Sequence, residues 1–343
     1  MIVALGWHGR LARPWFNVCT RTPDLARPVQ ASRLMKLDPR HTPVLLDHVL
    51  AALDPQPGQT IVDCTLGLGG HSAAILERIK PNGRLIGIDL DTANIASARI
   101  VLQRIKGREG TVTFDLFHNN FAALPAVLQQ AGVDKVDGIL ADIGIASTQI
   151  DDPARGFSYR RPGPLDMRMD PTRGQPASAL VNRLSESELA EAIIELGDEE
   201  DAPRIARLIV QRRAAAPITT TEQLTAIICE ARDFTLQRAA GAKLHPAART
   251  FQALRILTNR ELHNLNRLLA AIPEALKPGG TAAVITFHSG EDRLVKSAFR
   301  DGLRAGLFQA ISPEPLIATE QEQKDNPRAR SAKLRWAKVP PPP

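Results

Sequence analysis

A glycine-rich turn between a short apolar run and a helical stretch is the feature that most constrains the fold. The segment Asp63-Cys64-Thr65-Leu66-Gly67-Leu68-Gly69-Gly70-His71-Ser72 follows the apolar pair Ile61-Val62, and a second apolar run, 84–89, ends in Asp89. An acid about 20 residues beyond such a turn is where an open α/β sheet holds ribose hydroxyls. The pattern therefore predicts a strand, a turn and a helix that bind an adenosine-containing ligand.

The spacing within the turn narrows the choice of ligand. A dinucleotide fingerprint requires Gly-x-Gly-x-x-Gly, but Ser72 stands at the third glycine position, and Asp63 lies just before the turn. S-adenosylmethionine carries an ammonium and a sulfonium where a dinucleotide carries phosphates, so an acid beside the turn attracts it. We therefore predict S-adenosylmethionine binding, and we disfavour a nicotinamide-dependent dehydrogenase.

Short apolar runs alternate with helical patterns along the first half of the chain, as a parallel sheet requires. Strands are predicted near 60–65, 84–89, 111–117 and 136–142, with helices near 71–80, 92–106 and 121–131. No strand pattern occurs from 144 to 240, and a long helix from about Ala247 to Ala275 precedes a strand at Thr281 to Phe287. The fold class predicted is α/β, a doubly wound Rossmann-like sheet with an inserted all-helical domain.

This alternation divides the chain into successive parts. They are a flexible basic extension (1–40), the first part of the sheet domain (41–148), an inserted helical substrate-recognition domain (149–244), the second part of the sheet domain (245–339) and a loose tail (340–343).

Basic residues are concentrated near the two ends of the chain, whose formal net charge is +6. Residues 1–40 contain seven basic and two acidic side chains, and residues 324–339 contain six basic and one acidic. Such segments attract phosphates and make binding dependent on salt. A polyanionic partner is therefore favoured, with a solvated tail as the alternative for residues 1–40.

Apolar run lengths and cysteine spacing indicate the compartment. No run of 18 apolar residues occurs, so we expect a soluble protein with no membrane partner. The cysteines, Cys19, Cys64 and Cys229, lie far apart, which suits a reducing compartment and argues against structural zinc. We predict a cytoplasmic protein without a metal site.

Asp142 ends the fourth predicted strand and therefore lies at the sheet edge where ligands bind. A carboxylate there can accept a hydrogen bond from an exocyclic amine and orient it for attack on a methyl group. A helix or turn cap is the alternative role. Gln149, seven residues later, can hydrogen-bond either the ligand or its own loop.

The stretch that follows interleaves aromatic residues with arginines, a combination typical of single-stranded nucleic acid binding. Phe157 and Tyr159 are predicted to stack on an unpaired base, and Arg155, Arg160 and Arg161 to contact phosphates. An ordinary packed loop is the alternative.

Two further candidates lie in the second half of the chain. Arg249 stands near the start of the predicted long helix, where an anion is favoured. His288 follows the strand ending at Phe287 and is a candidate proton acceptor near neutral pH, although a structural histidine is the more usual outcome.

Together these segments closely resemble the bacterial ribosomal RNA small subunit methyltransferase H family, which methylates cytidine N4 in 16S rRNA. The resemblance covers roughly His41 to Val339. It rests on the segments 41–46, 63–72, 142–152, 155–158, 163–170, 245–255, 287–289 and 326–335. The family usually has Ser where Ala146 stands and Leu where Gly290 stands.

The resemblance implies a class I methyltransferase fold with an inserted helical domain, S-adenosylmethionine as cofactor, and 16S rRNA within the small ribosomal subunit as partner. The positions that hold the cofactor in the family match Gly69, Gly70, His71, Asp89, Phe121, Asp142 and Gln149. The predicted function is methylation of the N4 amine of a cytidine in the decoding region. A ribosome-assembly module that holds S-adenosylmethionine without transferring methyl is the alternative, and the oligomeric state is left open.

Overall fold

The computed structural model describes residues 43–106, 111–242 and 244–342. The predicted basic extension, 1–40, lies outside these ranges. The predicted loose tail begins with an anchored residue, because the Pro340 carbonyl oxygen accepts a hydrogen bond from the Gly279 N–H at 2.8 Å.

The strands of the described residues form one mixed sheet. Their bounds are Thr60–Asp63 (β1), Arg84–Asp89 (β2), Thr113–His118 (β3), Val136–Asp142 (β4), Leu276–Thr286 (β5), Ala310–Ile311 (β6), Leu316–Ile317 (β7) and Lys333–Lys338 (β8). The order is β3-β2-β1-β4-β5-β8-β6, and β7 also pairs with β8. The first five strands in this order are parallel, and β8 runs antiparallel to β5.

Helices cover both faces of this sheet and continue into a separate helical region. Their bounds are Leu46–Leu53 (α1), Gly70–Arg78 (α2), Thr92–Lys106 (α3), Leu124–Gln130 (α4), Ser147–Asp151 (α5), Ala177–Arg183 (α6), Glu186–Gly197 (α7), Ala202–Ala215 (α8), Thr221–Ala231 (α9), Leu236–Ala240 (α10), Ala248–Asn259 (α11), Glu261–Ala275 (α12), Ser289–Arg304 (α13) and Glu320–Asp325 (α14).

Alternating side chains along each strand divide the core of the sheet into two layers. Ile61 of β1 packs in the cluster that contains α1, α2 and α3, whereas its neighbour Val62 packs in the cluster that contains α4, α12 and α13. Because successive strand residues point to opposite faces, near-continuous apolar strands are buried on both sides. The parallel strand ends are left free at one edge, where ligands bind in such folds.

The helical region after β4 has its own apolar core, which includes Leu165, Ile193, Ile205 and Ile228. This arrangement confirms the predicted fold class, a doubly wound sheet with an inserted helical domain. The core also includes Phe251 of α11, so the packing of the helical region continues past the boundary predicted after residue 244.

The long helix predicted from about Ala247 to Ala275 is wrong, because the chain forms two helices there. Arg260 has a left-handed backbone (φ 53°) and serves as the last cap of α11 and the first cap of α12. Helix α11 packs in the helical region, whereas α12 packs against the sheet. One straight helix cannot serve both layers, so the backbone changes direction at this residue.

Within the described ranges, none of the helices combines the length and apolar character needed to cross a bilayer. The same residues contain no cluster of three or more His, Cys, Asp or Glu side chains that could bind a metal ion. Cys64 and Cys229 are buried free thiols.

A buried ion pair attaches β8 to α13. Arg335 is 5% exposed, and its Nε and Nη2 atoms donate to the two carboxylate oxygens of Asp292 at 2.7 and 3.2 Å. We predict that Asp292→Ala lowers the free energy of unfolding by about 3 kcal/mol, because the Arg335 charge stays buried without its partner. Urea denaturation followed by circular dichroism measures this loss.

The matched control is Asp301→Ala on the same helix. Asp301 is exposed, and its contact with Arg304 is 3.4 Å long. Little change in the unfolding midpoint is expected there, since exposed ion pairs contribute little. An equal loss in both variants would contradict the role given to the buried pair.

Candidate active site

The end of β1 is held by a buried acid. Asp63 accepts hydrogen bonds from the Ser72 hydroxyl at 2.7 Å and from the Thr65 N–H at 3.1 Å, and its burial raises the pKa of the carboxyl. The Thr65 hydroxyl oxygen in turn accepts the Asp142 N–H at 2.6 Å. The turn after β1 is thereby joined to the end of β4.

Glycine is required in this turn for both conformation and space. Gly67 and Gly69 have φ values of +50° and +82°, and residues that carry a Cβ atom rarely adopt this backbone conformation. A Cβ atom at Gly69 would lie 3.1 Å from the Cβ of Ala98, and one at Gly70 would lie 2.6 Å from the Cγ of Pro43. The backbone is therefore free of side chains where helix α2 begins.

Asp89 connects the end of β2 to the same turn. Its carboxylate accepts the Gly67 N–H at 2.8 Å and the Asp91 N–H at 2.7 Å. Burial raises the pKa of Asp89 to about 6 despite these bonds. The Asn94 Nδ2 atom also donates to both oxygens at 3.4 Å. These long bonds are the ones that a ligand's hydroxyls can replace.

Asp142 projects from the end of β4 with one oxygen unsatisfied. Its Oδ1 atom is buried and has no hydrogen-bond partner. Burial raises the pKa of Asp142 to about 6, against a lowering effect from nearby His71. The His71 Nδ1 atom lies 3.7 Å from Asp142 Oδ2, and its Nε2 atom donates to the Val44 carbonyl oxygen at 2.9 Å.

These strand ends surround a cavity of about 420 Å³. The lining includes six of the predicted cofactor positions, namely Gly70, His71, Asp89, Phe121, Asp142 and Gln149, whereas Gly69 lies next to the lining residues. The Gln149 Oε1 atom accepts the Ala146 N–H at 3.1 Å, and its Nε2 donates to Asp91 at 3.3 Å. Gln149 therefore shapes its own loop as well as the cavity wall.

The donors and acceptors of this cavity fit S-adenosylmethionine. Asp89 can accept from ribose hydroxyls, the turn at Gly67–Gly70 admits close approach, and Phe121 supplies an apolar wall. The unsatisfied Asp142 oxygen adds a negative group, which suits a ligand that carries an ammonium and a sulfonium.

Arg155, predicted to contact a phosphate, is placed inside the protein. Its Nη1 atom donates to Asp91 at 2.7 Å, and its Nη2 atom donates to the carbonyl oxygens of Arg168 and Met169 at 3.2 and 2.7 Å. The guanidinium thus joins the loop after β2 to the segment after β4. With these partners it is not available to an RNA backbone in this arrangement.

The two aromatic residues of this segment also pack internally. Phe157 is buried in the core of the helical region. Tyr159 stacks on His245 with ring centroids 4.6 Å apart and meets Phe251 edge-on at 5.7 Å. Stacking on a base would require this segment to open, so the packed-loop alternative describes the present arrangement.

The other predicted RNA contacts divide between the surface and the cavity. Arg160 and Arg161 are exposed; Arg161 pairs with Asp151 at 3.2 Å, and Arg249 donates to the Asp198 carbonyl oxygen at 2.7 Å. None of these three arginines is among the residues that line the described cavity, whereas His288 is.

Sequence reasoning missed several residues that build the site. Thr65 lies inside the segment 63–72, and Asp91 follows the run 84–89 by two residues, so their proximity to Asp63 and Asp89 was the available signal. Arg255 lines the cavity and forms a bidentate pair with Glu261 at 2.8 and 2.9 Å. A spacing of six does not share one helix face, and only the change of direction at Arg260 brings this pair together.

The placement of Arg155 generates a stability prediction. We expect Arg155→Ala to lower the free energy of unfolding by about 2 kcal/mol, since Asp91 would keep a largely buried charge without its partner. The control is Arg160→Ala, which removes an exposed guanidinium 5.9 Å from the Tyr159 ring centroid and should leave unfolding unchanged. If urea denaturation shows wild-type stability for Arg155→Ala, the internal role is rejected.

Comparisons with known proteins identify the family of this chain. The sequence matches the MraW methylase family over residues 38–339. A protein of Nitratidesulfovibrio vulgaris named ribosomal RNA small subunit methyltransferase H is 48% identical over 314 residues, covering 87% of this chain and 85% of the relative. A protein of Thermomicrobium roseum with the same name is 44% identical over 329 residues, covering 90% of this chain and 97% of the relative.

These matches extend over nearly all of the sheet and the helical region, and they confirm the resemblance found in the sequence. The chain belongs to the MraW methylase family.

Proposed function

We propose that this methyltransferase transfers a methyl group from S-adenosylmethionine to the N4 amine of a cytidine in the decoding region of 16S rRNA. The observation that carries the proposal is the unsatisfied Asp142 oxygen, buried beside the cavity that the glycine turn borders. A buried acceptor without a donor is unusual in a native protein, and an exocyclic amine supplies the missing donor. The names of the relatives support a small-subunit rRNA substrate.

In this proposal Asp142 accepts a hydrogen bond from the N4 amine. The bond orients the amine toward the donor side of the cavity and raises the electron density on nitrogen. S-adenosylmethionine, when bound, supplies an electrophilic methyl group. The N4 proton becomes acidic once the nitrogen carries the new methyl group, so water can accept it and no dedicated base is assigned.

The remaining walls of the cavity act by position and by excluding water. Residues from the helical region and from the sheet line the cavity, including Gln252 of α11 and Phe287 after β5. An acceptor base enclosed between them loses its water shell, which strengthens the hydrogen bond to Asp142.

The rRNA backbone is proposed to lie along three arginines of the helical side, of which Arg160 and Arg161 are exposed and Arg249 is half-buried. Arg160, Arg161 and Arg249 remain candidates for phosphate contacts. Arg328, in the basic segment near the end of the chain, lines the cavity. We place the reaction on the small ribosomal subunit in the cytoplasm.

The central test is Asp142→Ala. We expect a folded protein whose methylation of purified small subunits falls at least ~100-fold, because the amine loses its acceptor. Mass mapping of digested 16S rRNA measures the N4-methylcytidine formed. The same measurement rejects the non-catalytic assembly alternative if the wild-type protein produces this nucleoside.

The matched control is Asp137→Ala at the opposite end of β4. Asp137 binds Lys277 at 2.8 Å and the Thr60 N–H at 2.8 Å, away from the cavity. The Asp137→Ala protein should retain methylation activity. Wild-type turnover in Asp142→Ala would remove Asp142 from the mechanism.

A second prediction concerns pH. Burial raises the pKa values of Asp89 and Asp142 to about 6, so both carboxyls take up protons as the pH falls through that value. A cationic ligand prefers the ionised forms, and its affinity should fall about tenfold or more between about pH 7 and pH 5. Calorimetric titration with S-adenosylmethionine measures this dependence.

Asp89→Asn provides the comparison for the pH prediction, because its amide does not titrate. Its pH dependence should be shallower than that of the wild type. A flat profile for the wild-type protein would mean that neither carboxyl changes charge on binding.

A further inference from the structure

Unsatisfied polar atoms are concentrated beside the cavity. Six buried side-chain polar atoms in the described part of the chain have no hydrogen-bond partner. Three of them belong to neighbouring groups at one end of the sheet: Asp142 Oδ1, His288 Nε2 and Glu291 Oε1. His288 Nε2 and Glu291 Oε1 lie 3.1 Å from each other without a hydrogen bond. Buried polar atoms in native proteins are usually hydrogen-bonded, so Asp142 Oδ1 and His288 Nε2 mark a position where a ligand can supply the missing bonds.

The hydrogen bonds around His288 determine which of its ring atoms can donate. His288 precedes α13 as its N-cap, and its Nδ1 atom accepts the Glu291 N–H at 3.4 Å. A neutral imidazole that accepts at Nδ1 carries its proton on Nε2. The proton-acceptor role predicted from the sequence is therefore not supported by this arrangement, in which His288 is a donor.

Glu291 holds the backbone before α13 and also lies against the His288 donor atom. Its Oε2 atom accepts the backbone N–H groups of Phe287 and His288 at 2.8 and 3.3 Å. Its Oε1 atom lies 3.1 Å from His288 Nε2 but is not aligned as a hydrogen-bond acceptor. The Nε2–H group therefore faces this oxygen without a hydrogen bond, and a better-aligned acceptor in the cavity can take it.

The sheet register places this donor and the unsatisfied acceptor at the same end of the sheet. Asp142 is the register partner of Ile285 in the parallel pair of β4 and β5, and His288 follows three residues later. Both side chains line the cavity. A Cβ atom at Gly290 would lie 3.2 Å from His288 Nδ1, so the glycine there leaves the ring room to adjust.

We propose that His288 is a specificity-determining residue that donates from Nε2 to N3 of the acceptor cytosine, while Asp142 accepts from the N4 amine. The inference rests on the proposed function. Cytosine presents a donor at N4 beside an acceptor at N3, which complements this acceptor and donor pair. Uracil presents the reverse pattern, an acceptor at O4 and a donor at N3. It would set an acceptor against Asp142 and a donor against the His288 N–H, so neither hydrogen bond could form.

Two substitutions separate donation from helix capping. His288→Ser retains a hydroxyl that can cap α13, but its side chain is too short to donate to the base. His288→Gln supplies an amide N–H at a distance similar to that of Nε2, but glutamine is a poor N-cap residue. The substrates are small subunits reconstituted with either cytidine or 3-deazacytidine at the target position. The deaza analogue keeps the amine and replaces N3 with a C–H group.

The measurement is the ratio of kcat/KM for cytidine to that for 3-deazacytidine in each protein. This ratio cancels any intrinsic difference in amine reactivity when proteins are compared. We expect it to be about tenfold larger in the wild type than in His288→Ser, with His288→Gln close to the wild type.

Equal ratios in all three proteins overturn the role of His288, and so does a ratio that falls only in His288→Gln, because capping would then be the function. The proposed function fails separately, if wild-type protein forms no N4-methylcytidine on subunits that carry cytidine. Thermal unfolding of each variant verifies that the compared proteins are folded.

Discussion

Burying carboxylates at the ends of parallel strands is the constraint on which this structure depends. A buried carboxylate is costly unless donors surround it, and the chain supplies them from the turn itself. Asp63 takes the Ser72 hydroxyl, and Asp89 takes the N–H groups of Gly67 and Asp91. The turn is therefore shaped by its acids as much as by its glycines. Asp142 alone among these acids keeps a buried oxygen without a donor, so the unsatisfied hydrogen-bond acceptor lies beside the cavity.

The helical region is attached to this edge by polar contacts that bridge long stretches of sequence. Arg155 reaches Asp91, and Asn259 hydrogen-bonds the backbone of both Met167 and Met169. These contacts fix the segment after β4 against the loop after β2. Because both walls of the cavity are tied to the same strand ends, the region proposed to hold the base keeps a defined position relative to the region that holds the methyl donor.

The strands and the glycine turn were predictable because their signals are local. β2 and β4 begin and end within a residue of the predicted bounds, since each is an apolar run with an acid at its end. The partners of Arg155 and Phe157 were not predictable, because they lie far along the sequence and no spacing rule connects them. In the sequence alone, an arginine that pairs with a buried acid cannot be distinguished from an arginine that binds a phosphate. The helix break at Arg260 was likewise not predictable, because the position is neither a glycine nor a proline.

That break has a consequence for how such proteins diversify. The helical region leaves the sheet after β4 and returns through a single left-handed residue, Arg260, next to the Asn259 side chain that binds the segment after β4. The returning connection is therefore held against a segment that follows β4. An element attached in this way can be lengthened, shortened or exchanged during evolution while the register of the strands stays the same. New acceptors can then be recruited to an unchanged methyl-donor pocket.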